Sequence, residues 1–74
     1  MEEKILEIMK SVFGVDSIDS TCSQENCEQW DSMAQLNLTV ELEMEFDITL
    51  EPEEIGEMTT FSDVVRIVKS KTAL

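Results

Sequence analysis

Over the first dozen positions apolar residues recur at helical spacing. Ile5, Ile8, Met9 and Val12 stand at i, i+3, i+4 and i+7, and Leu6 and Phe13 widen the stripe. That period predicts an amphipathic helix over residues 2 to about 13. Gly14 is its natural stop, because glycine readily takes the left-handed conformation in which helices end. From Val15 to Trp30 the pattern dissolves into Asp, Ser, Thr, Asn and Gln, with scattered apolar anchors, chiefly Val15, Ile18 and Trp30. A loop of this length inside a small domain is expected to carry function or to be pinned by such anchors.

Residues 36–50 pose a conflict. Leu36, Leu38, Val40, Leu42, Met44, Phe46, Ile48 and Leu50 alternate with polar residues, the period of a half-buried strand. Composition points the other way, since Leu, Glu, Met and Gln favour helix, and a strand of that length would far exceed the usual run of about 5 or 6 residues. The same residues also form two i, i+4 rows: Leu36, Val40 and Met44 in one, and Leu38, Leu42 and Phe46 in the other. At about 100° per residue these rows lie on nearly opposite sides of a helix. One row can face a core, and the other needs a partner to leave water. The prediction is a helix from Ser32 to about Phe46.

Pro52 suits the first turn of a short helix ending near Glu57, with Glu53 and Glu54 at its positive end. Thr60 reads as the N-cap of a last helix, with Asp63 in the place of the usual capping-box glutamate. Phe61, Val64, Val65 and Val68 form the apolar stripe of that helix, and Lys69 and Lys71 suit its C-terminal end. The expected fold is all-α: a small four-helix bundle, three main helices and one short one, with a long loop after the first. Residues 1–74 are expected to form one domain.

Seventy-four residues permit only a small core, since a chain this short buries about 60% of the surface its unfolded form exposes. There is no room for a deep active site. Five basic and 17 acidic side chains leave a net charge of −12. That surface attracts cations and basic protein patches and disfavours nucleic-acid phosphates. The absence of histidine removes the commonest general base and imidazole ligand. No catalytic group and no metal site is expected. Cys22 and Cys27 match neither the C-x-x-C redox motif nor a four-ligand zinc set, and read as free thiols of a reducing compartment, with a loop disulfide formed on oxidation as the alternative. The N-terminus lacks the basic start and apolar run of a signal peptide, and no stretch approaches the ~20 apolar residues of a membrane span. A cytoplasmic monomer without membrane insertion is the expectation.

The residues that carry chemistry are Asp31, Ser32 and Met33, where the polar loop gives way to the long Leu/Glu/Met-rich segment. A hydroxyl at a helix start, in a chain with no histidine, reads as an attachment point for a cofactor; by itself the triplet is equally an ordinary helix cap. Together with the Val40-Glu41-Leu42-Glu43 to Glu45-Phe46-Asp47-Ile48 stretch, the Pro52 to Met58 short helix and the Thr60-Phe61-Ser62-Asp63-Val64 start of the last helix, it gives a chain that resembles the acyl carrier proteins over essentially its whole length.

The resemblance implies that a phosphopantetheinyl transferase, using coenzyme A and magnesium, joins 4′-phosphopantetheine to the Ser32 hydroxyl, with Asp31 as the motif residue at the helix start. The arm then carries acyl groups as thioesters between enzymes. The chemistry agrees, because a phosphodiester at a helix N-terminus meets free backbone N–H groups and the positive end of the dipole. Nothing in the chain activates Ser32, since no basic residue lies between Lys10 and Arg66. Activation must come from the transferase.

By the family's arrangement Leu38, Leu42 and Phe46 face the core. Met33, Leu36, Val40 and Met44 then lie outside, with Glu41 and Glu45 nearby, as a surface for loading and transferring enzymes that carry basic patches. Ala34 and Asn37 stand where fatty-acid carriers usually have acidic residues. Trp30 and Met33 look more like a carrier of a dedicated pathway, such as polyketide or other specialised synthesis. D-alanyl carriers share the Asp-Ser-Met triplet, which extends the expectation to aminoacyl cargo. The competing class is a small acidic adaptor without a prosthetic group, for which Ser32 would be dispensable. A calcium buffer fails, because the loop after Asp16 lacks the ligand alternation and central glycine of an EF-hand.

Overall fold

The computed structural model describes residues 2–72. Four helices follow one another: α1 (Glu2–Phe13), α2 (Ser32–Phe46), α3 (Pro52–Glu57) and α4 (Phe61–Thr72). None is long and apolar enough to cross a membrane. α1 ends as its sequence predicts. Gly14 has φ +69°, and its N–H reaches the Lys10 carbonyl at 2.9 Å. The buried line of α1 is Ile5, Met9 and Phe13, one residue every four, while Leu6, Ile8 and Val12 flank it half-buried. The i, i+4 row therefore defines the inner face more sharply than the full stripe does.

The alternating segment divides at Phe46. Up to that point it is helix, and Asp47 then turns left-handed (φ 54°) with its N–H on the Glu43 carbonyl. The Glu43 carboxylate accepts the Leu50 N–H at 2.9 Å. That bond draws the extended residues back to the bundle, where Leu50 is buried and Ile48 packs against the core. Residues 48–50 alternate in burial without forming a strand, and residues 36–46 alternate as a helix, because an α-helix with apolar residues on two opposite sides also alternates.

α3 begins with Pro52, and the Glu54 carboxylate accepts the Glu51 N–H at 2.8 Å. At α4 half of the expected capping box forms: Thr60 Oγ1 accepts the Asp63 N–H at 3.1 Å. The reciprocal half does not form. The Asp63 carboxylate accepts the Thr59 hydroxyl instead, at 3.1 Å, as suits an aspartate one methylene shorter than the glutamate of the usual box. Ile67 joins Phe61, Val64, Val65 and Val68 in the buried face of α4.

Ile5, Met9, Leu38, Leu42, Met58, Val64 and Val68 are fully buried and make the centre of one core. The α1–α2 loop is stitched to it. Trp30 is buried, with its ring 5.2 Å from that of Phe13. Cys22, not foreseen as an anchor, is buried too, and its carbonyl accepts the Phe61 N–H at 2.9 Å. Gln24 N–H reaches the Thr59 carbonyl at 2.9 Å, and the two bonds form a short antiparallel bridge between Ser23 and Thr60. The loop is therefore fixed by backbone hydrogen bonds as well as by apolar anchors.

Candidate functional site

The start of α2 is built so that one side chain of the triplet serves the fold and the next does not. Asp31 is the N-cap: its backbone is extended, and its carboxylate accepts the Ala34 N–H at 2.9 Å. Its carbonyl accepts the Gln35 N–H at 2.9 Å, the first bond of the helical ladder. Ser32 is then the first helical residue. Its side chain is exposed, and its hydroxyl makes no hydrogen bond among the described residues. The N–H groups of Ser32 and Met33 lie in the first turn, where helices leave donors unsatisfied and the dipole is positive.

Gln35, one turn on, fixes this end of α2 in the bundle. Trp30 Nε1 donates to Gln35 Oε1 at 2.6 Å, and Gln35 Nε2 donates to the Ile55 carbonyl at 2.8 Å and the Met58 carbonyl at 3.1 Å. The side chain thus joins the end of the loop, α2 and α3, adding a second bond to the Ile55 carbonyl, which already accepts the Met58 N–H, and one to the Met58 carbonyl. Sequence reasoning missed it. A lone glutamine in a helix gives no signal unless it is known that Trp30 and the end of α3 converge on it. Trp30, Ser32, Gln35, Leu36, Ile55 and Gly56 line a depression of about 620 Å³ beside the serine.

The residues expected on the outer side of α2 are there. Met33, Leu36, Val40 and Met44 are 68%, 61%, 51% and 74% exposed, whereas Leu38 and Leu42 are fully buried and Phe46 packs against the core half-buried. Ala34 and Thr39 are buried as well, so the inner face is broader than the row of leucines and phenylalanine. Of the two positions where acidic residues are missing, Asn37 is exposed and Ala34 is buried.

The two carboxylates expected beside this face differ. Glu45 is paired with Lys4 at 2.9 Å, while Glu41 takes part in no ion pair among the described residues. Three further cations are used elsewhere: Lys71 on Glu54 at 2.8 Å, Arg66 on Glu57 and Asp63 at 3.5 Å, and Lys69 near Glu2 at 3.8 Å. No cluster of His, Cys, Asp and Glu among the described residues is arranged to hold a metal ion. The arrangement offers an unencumbered primary hydroxyl at a positive helix end, set between an open depression and an exposed apolar face. Among the described residues no side chain is hydrogen-bonded to that hydroxyl in a position to take its proton, the Asp31 carboxylate being held by the Ala34 N–H.

Comparison with known proteins bears on the same end of α2. A family model described as phosphopantetheine attachment site matches residues 3–68. The solution structure of a holo acyl carrier protein from Geobacter metallireducens superposes with a TM-score of 0.87 at 28% identity, over 97% of this chain and 85% of that one. No curated protein matches by sequence.

Proposed function

The chain belongs to the phosphopantetheine attachment-site family, as an acyl carrier protein with 4′-phosphopantetheine as its covalent cofactor, and from that premise we propose that Ser32 bears the arm. The observation that carries the assignment is the division of labour at the start of α2. Asp31 takes the capping bond to Ala34, which leaves the Ser32 hydroxyl exposed and unbonded at the first helical position. The unsatisfied N–H groups of that turn suit the phosphodiester of the arm. When bound, the arm supplies the thiol on which cargo travels as a thioester. Ser32 holds it by an oxygen–phosphorus bond, Asp31 fixes the turn from which it projects, and Trp30 and Gln35 hold that turn against α3.

A carrier domain of this family is not itself a catalyst, and the side chains here agree with that role. Lacking histidine, the chain has no base for Ser32, so the hydroxyl proton is removed by a phosphopantetheinyl transferase acting with coenzyme A and magnesium. Met33, Leu36, Val40 and Met44, with Glu41 free beside them, form the surface on which that transferase and the acyl-loading and acyl-transferring enzymes dock. Methionine adapts its shape to several partners, and the net negative charge steers basic ones. Pairing with Lys4 makes Glu45 the lesser of the two carboxylates for this purpose. The cargo is an acyl or aminoacyl group, and residues 1–74 act as one carrier domain.

The test is the intact mass after incubation with coenzyme A, magnesium and a broad-specificity transferase, for wild type and Ser32→Ala. The wild type gains one phosphopantetheine and the variant none. Failure of both, with the fold intact and a control carrier modified, would return the chain to the acidic-adaptor reading.

A further inference from the structure

Two thiols in the α1–α2 loop have no part in carrying cargo, because the transferring thiol is on the arm. Cys22 is buried and Cys27 half-buried, and neither is in a disulfide. The chain between them closes on itself. Ser23 N–H donates to Asn26 Oδ1 at 2.9 Å, Asn26 Nδ2 donates to the Thr21 carbonyl at 2.8 Å, and Cys27 N–H donates to the Ser23 carbonyl at 3.0 Å. Both cysteines line one open cavity of about 360 Å³, with Val15, Ile18, Asp19 and Gln29. Burial, first, pushes the Cys22 thiol up to about 12, and the charges of Cys27 and Asp19 across the cavity add to it, while the Cys27 thiol itself donates to Gln29 Oε1 at 3.5 Å. The two cysteines thus line the same cavity, Cys22 sheltered and Cys27 half-buried, although the spacing is not that of a C-x-x-C motif.

We propose that Cys22 and Cys27 form a thiol–disulfide site, oxidised by low-molecular-weight disulfides to a bond within the loop. Cys27, the accessible member, attacks as thiolate on one sulfur of the small disulfide. That sulfur–sulfur bond breaks, and the leaving thiolate takes up the proton that Cys27 released. Cys22 then gives its proton to solvent and attacks Cys27 Sγ in the mixed disulfide, expelling the second small thiol. Two protein thiols have lost two electrons and two protons, and one disulfide has become two thiols. Cys22 is rarely ionised at neutral pH, so the second step is the slow one and quickens as pH rises.

The bond reaches the attachment end of the molecule through the backbone. The Cys22 carbonyl holds the Phe61 N–H at the start of α4, and the Cys27 carbonyl holds the Trp30 N–H at 3.0 Å, next to Asp31. Joining the two sulfurs links those anchors covalently and restrains the loop in the unfolded chain, so the oxidised protein melts higher than the reduced one.

The experiment treats the full chain with oxidised glutathione at neutral and at alkaline pH and follows intact mass, peptide maps and melting. It uses both the unmodified protein and the holo protein with its arm acylated, so that the arm thiol is blocked. The wild type loses about 2 Da through a transient glutathione adduct, and faster at alkaline pH. Cys22→Ala, which leaves a small apolar side chain in the core, stops at a stable single adduct on Cys27. Cys27→Ser reacts roughly tenfold more slowly or less, because Cys22 is buried. A stable adduct on the wild type, a bond between two chains, or no reaction under conditions that oxidise the denatured chain would each overturn the proposal.

Discussion

The two sides of α2 are made of the same kinds of residue and end in opposite surroundings. Leu38 and Leu42 lie at the centre of the core, while Leu36, Val40 and Met44, each within two positions of one of them, stand in water. Hydrophobicity alone therefore does not place a residue inside. What separates the rows is which of them α1 and α4 can cover, and a chain of this size has only enough apolar surface elsewhere to cover one. The uncovered row is apolar without serving the fold, and it runs from the proposed attachment serine along the helix. A stretch of exposed methionine, leucine and valine has a cost in solubility, and the docking role proposed for it beside Ser32 would offset that cost.

The comparison breaks most readily at Leu42. Leu42→Ala removes a fully buried core side chain and is expected to cost about 2–5 kcal/mol, read by thermal or urea unfolding. A change within about 0.5 kcal/mol, the range of surface substitutions, would mean that the rows do not differ as described. Met44→Glu, on the other side, is expected to leave unfolding unchanged within that range and to lower kcat/KM for loading by roughly tenfold, about 1.4 kcal/mol of lost docking. Equal loading kinetics for variant and wild type would leave the outer row without its role.

The smallest effect concerns the edge of the bundle, where Lys71 at the end of α4 holds Glu54 of α3. The hydrogen bond from Lys71 and then that from the Glu51 N–H hold the Glu54 carboxyl below its ordinary value of 4.5. Its contribution to stability is complete above that ordinary value and disappears as pH falls through the lower folded value. Lys71 mirrors it. The hydrogen bond to Glu54 raises its pKa above 10.5, so its contribution is complete below 10.5 and is lost as pH rises through the higher folded value. Glu54→Gln should flatten both limbs of a plot of melting temperature against pH while leaving loading untouched. Limbs as steep as those of the wild type would show that the pair adds nothing.

How far the fold can be read from the sequence depends on the element. α1 and α4 each have one apolar face, so periodicity alone marks their extent and most of their buried residues. α2 defeats periodicity because its two faces are both apolar, and only composition and length decide for helix. A cap was legible in the triplet but not which residue supplies it, and the exposed row of α2 followed from the two-row geometry once the family resemblance said which row faced inward. Gln35 was not legible, because its value lies in partners that only folding brings together: Trp30 on the loop, and Ile55 and Met58 far along the chain. Cys22 was hidden for a similar reason. Its anchoring depends on burial and on a backbone bond to Phe61, neither of which leaves a trace in residue type.

The most direct test of the account is a residue-resolved amide NMR spectrum of the isotope-labelled chain, recorded alone, with the transferase but no coenzyme A, and again after the reaction. Docking should move the amides of Met33, Leu36, Val40, Glu41 and Met44 and spare Ile5, Met9, Val64 and Val68; the reaction should then shift Ser32 permanently. Perturbations centred on α1 and α4, or a Ser32 amide that returns to its starting position once the protein is modified, would contradict it.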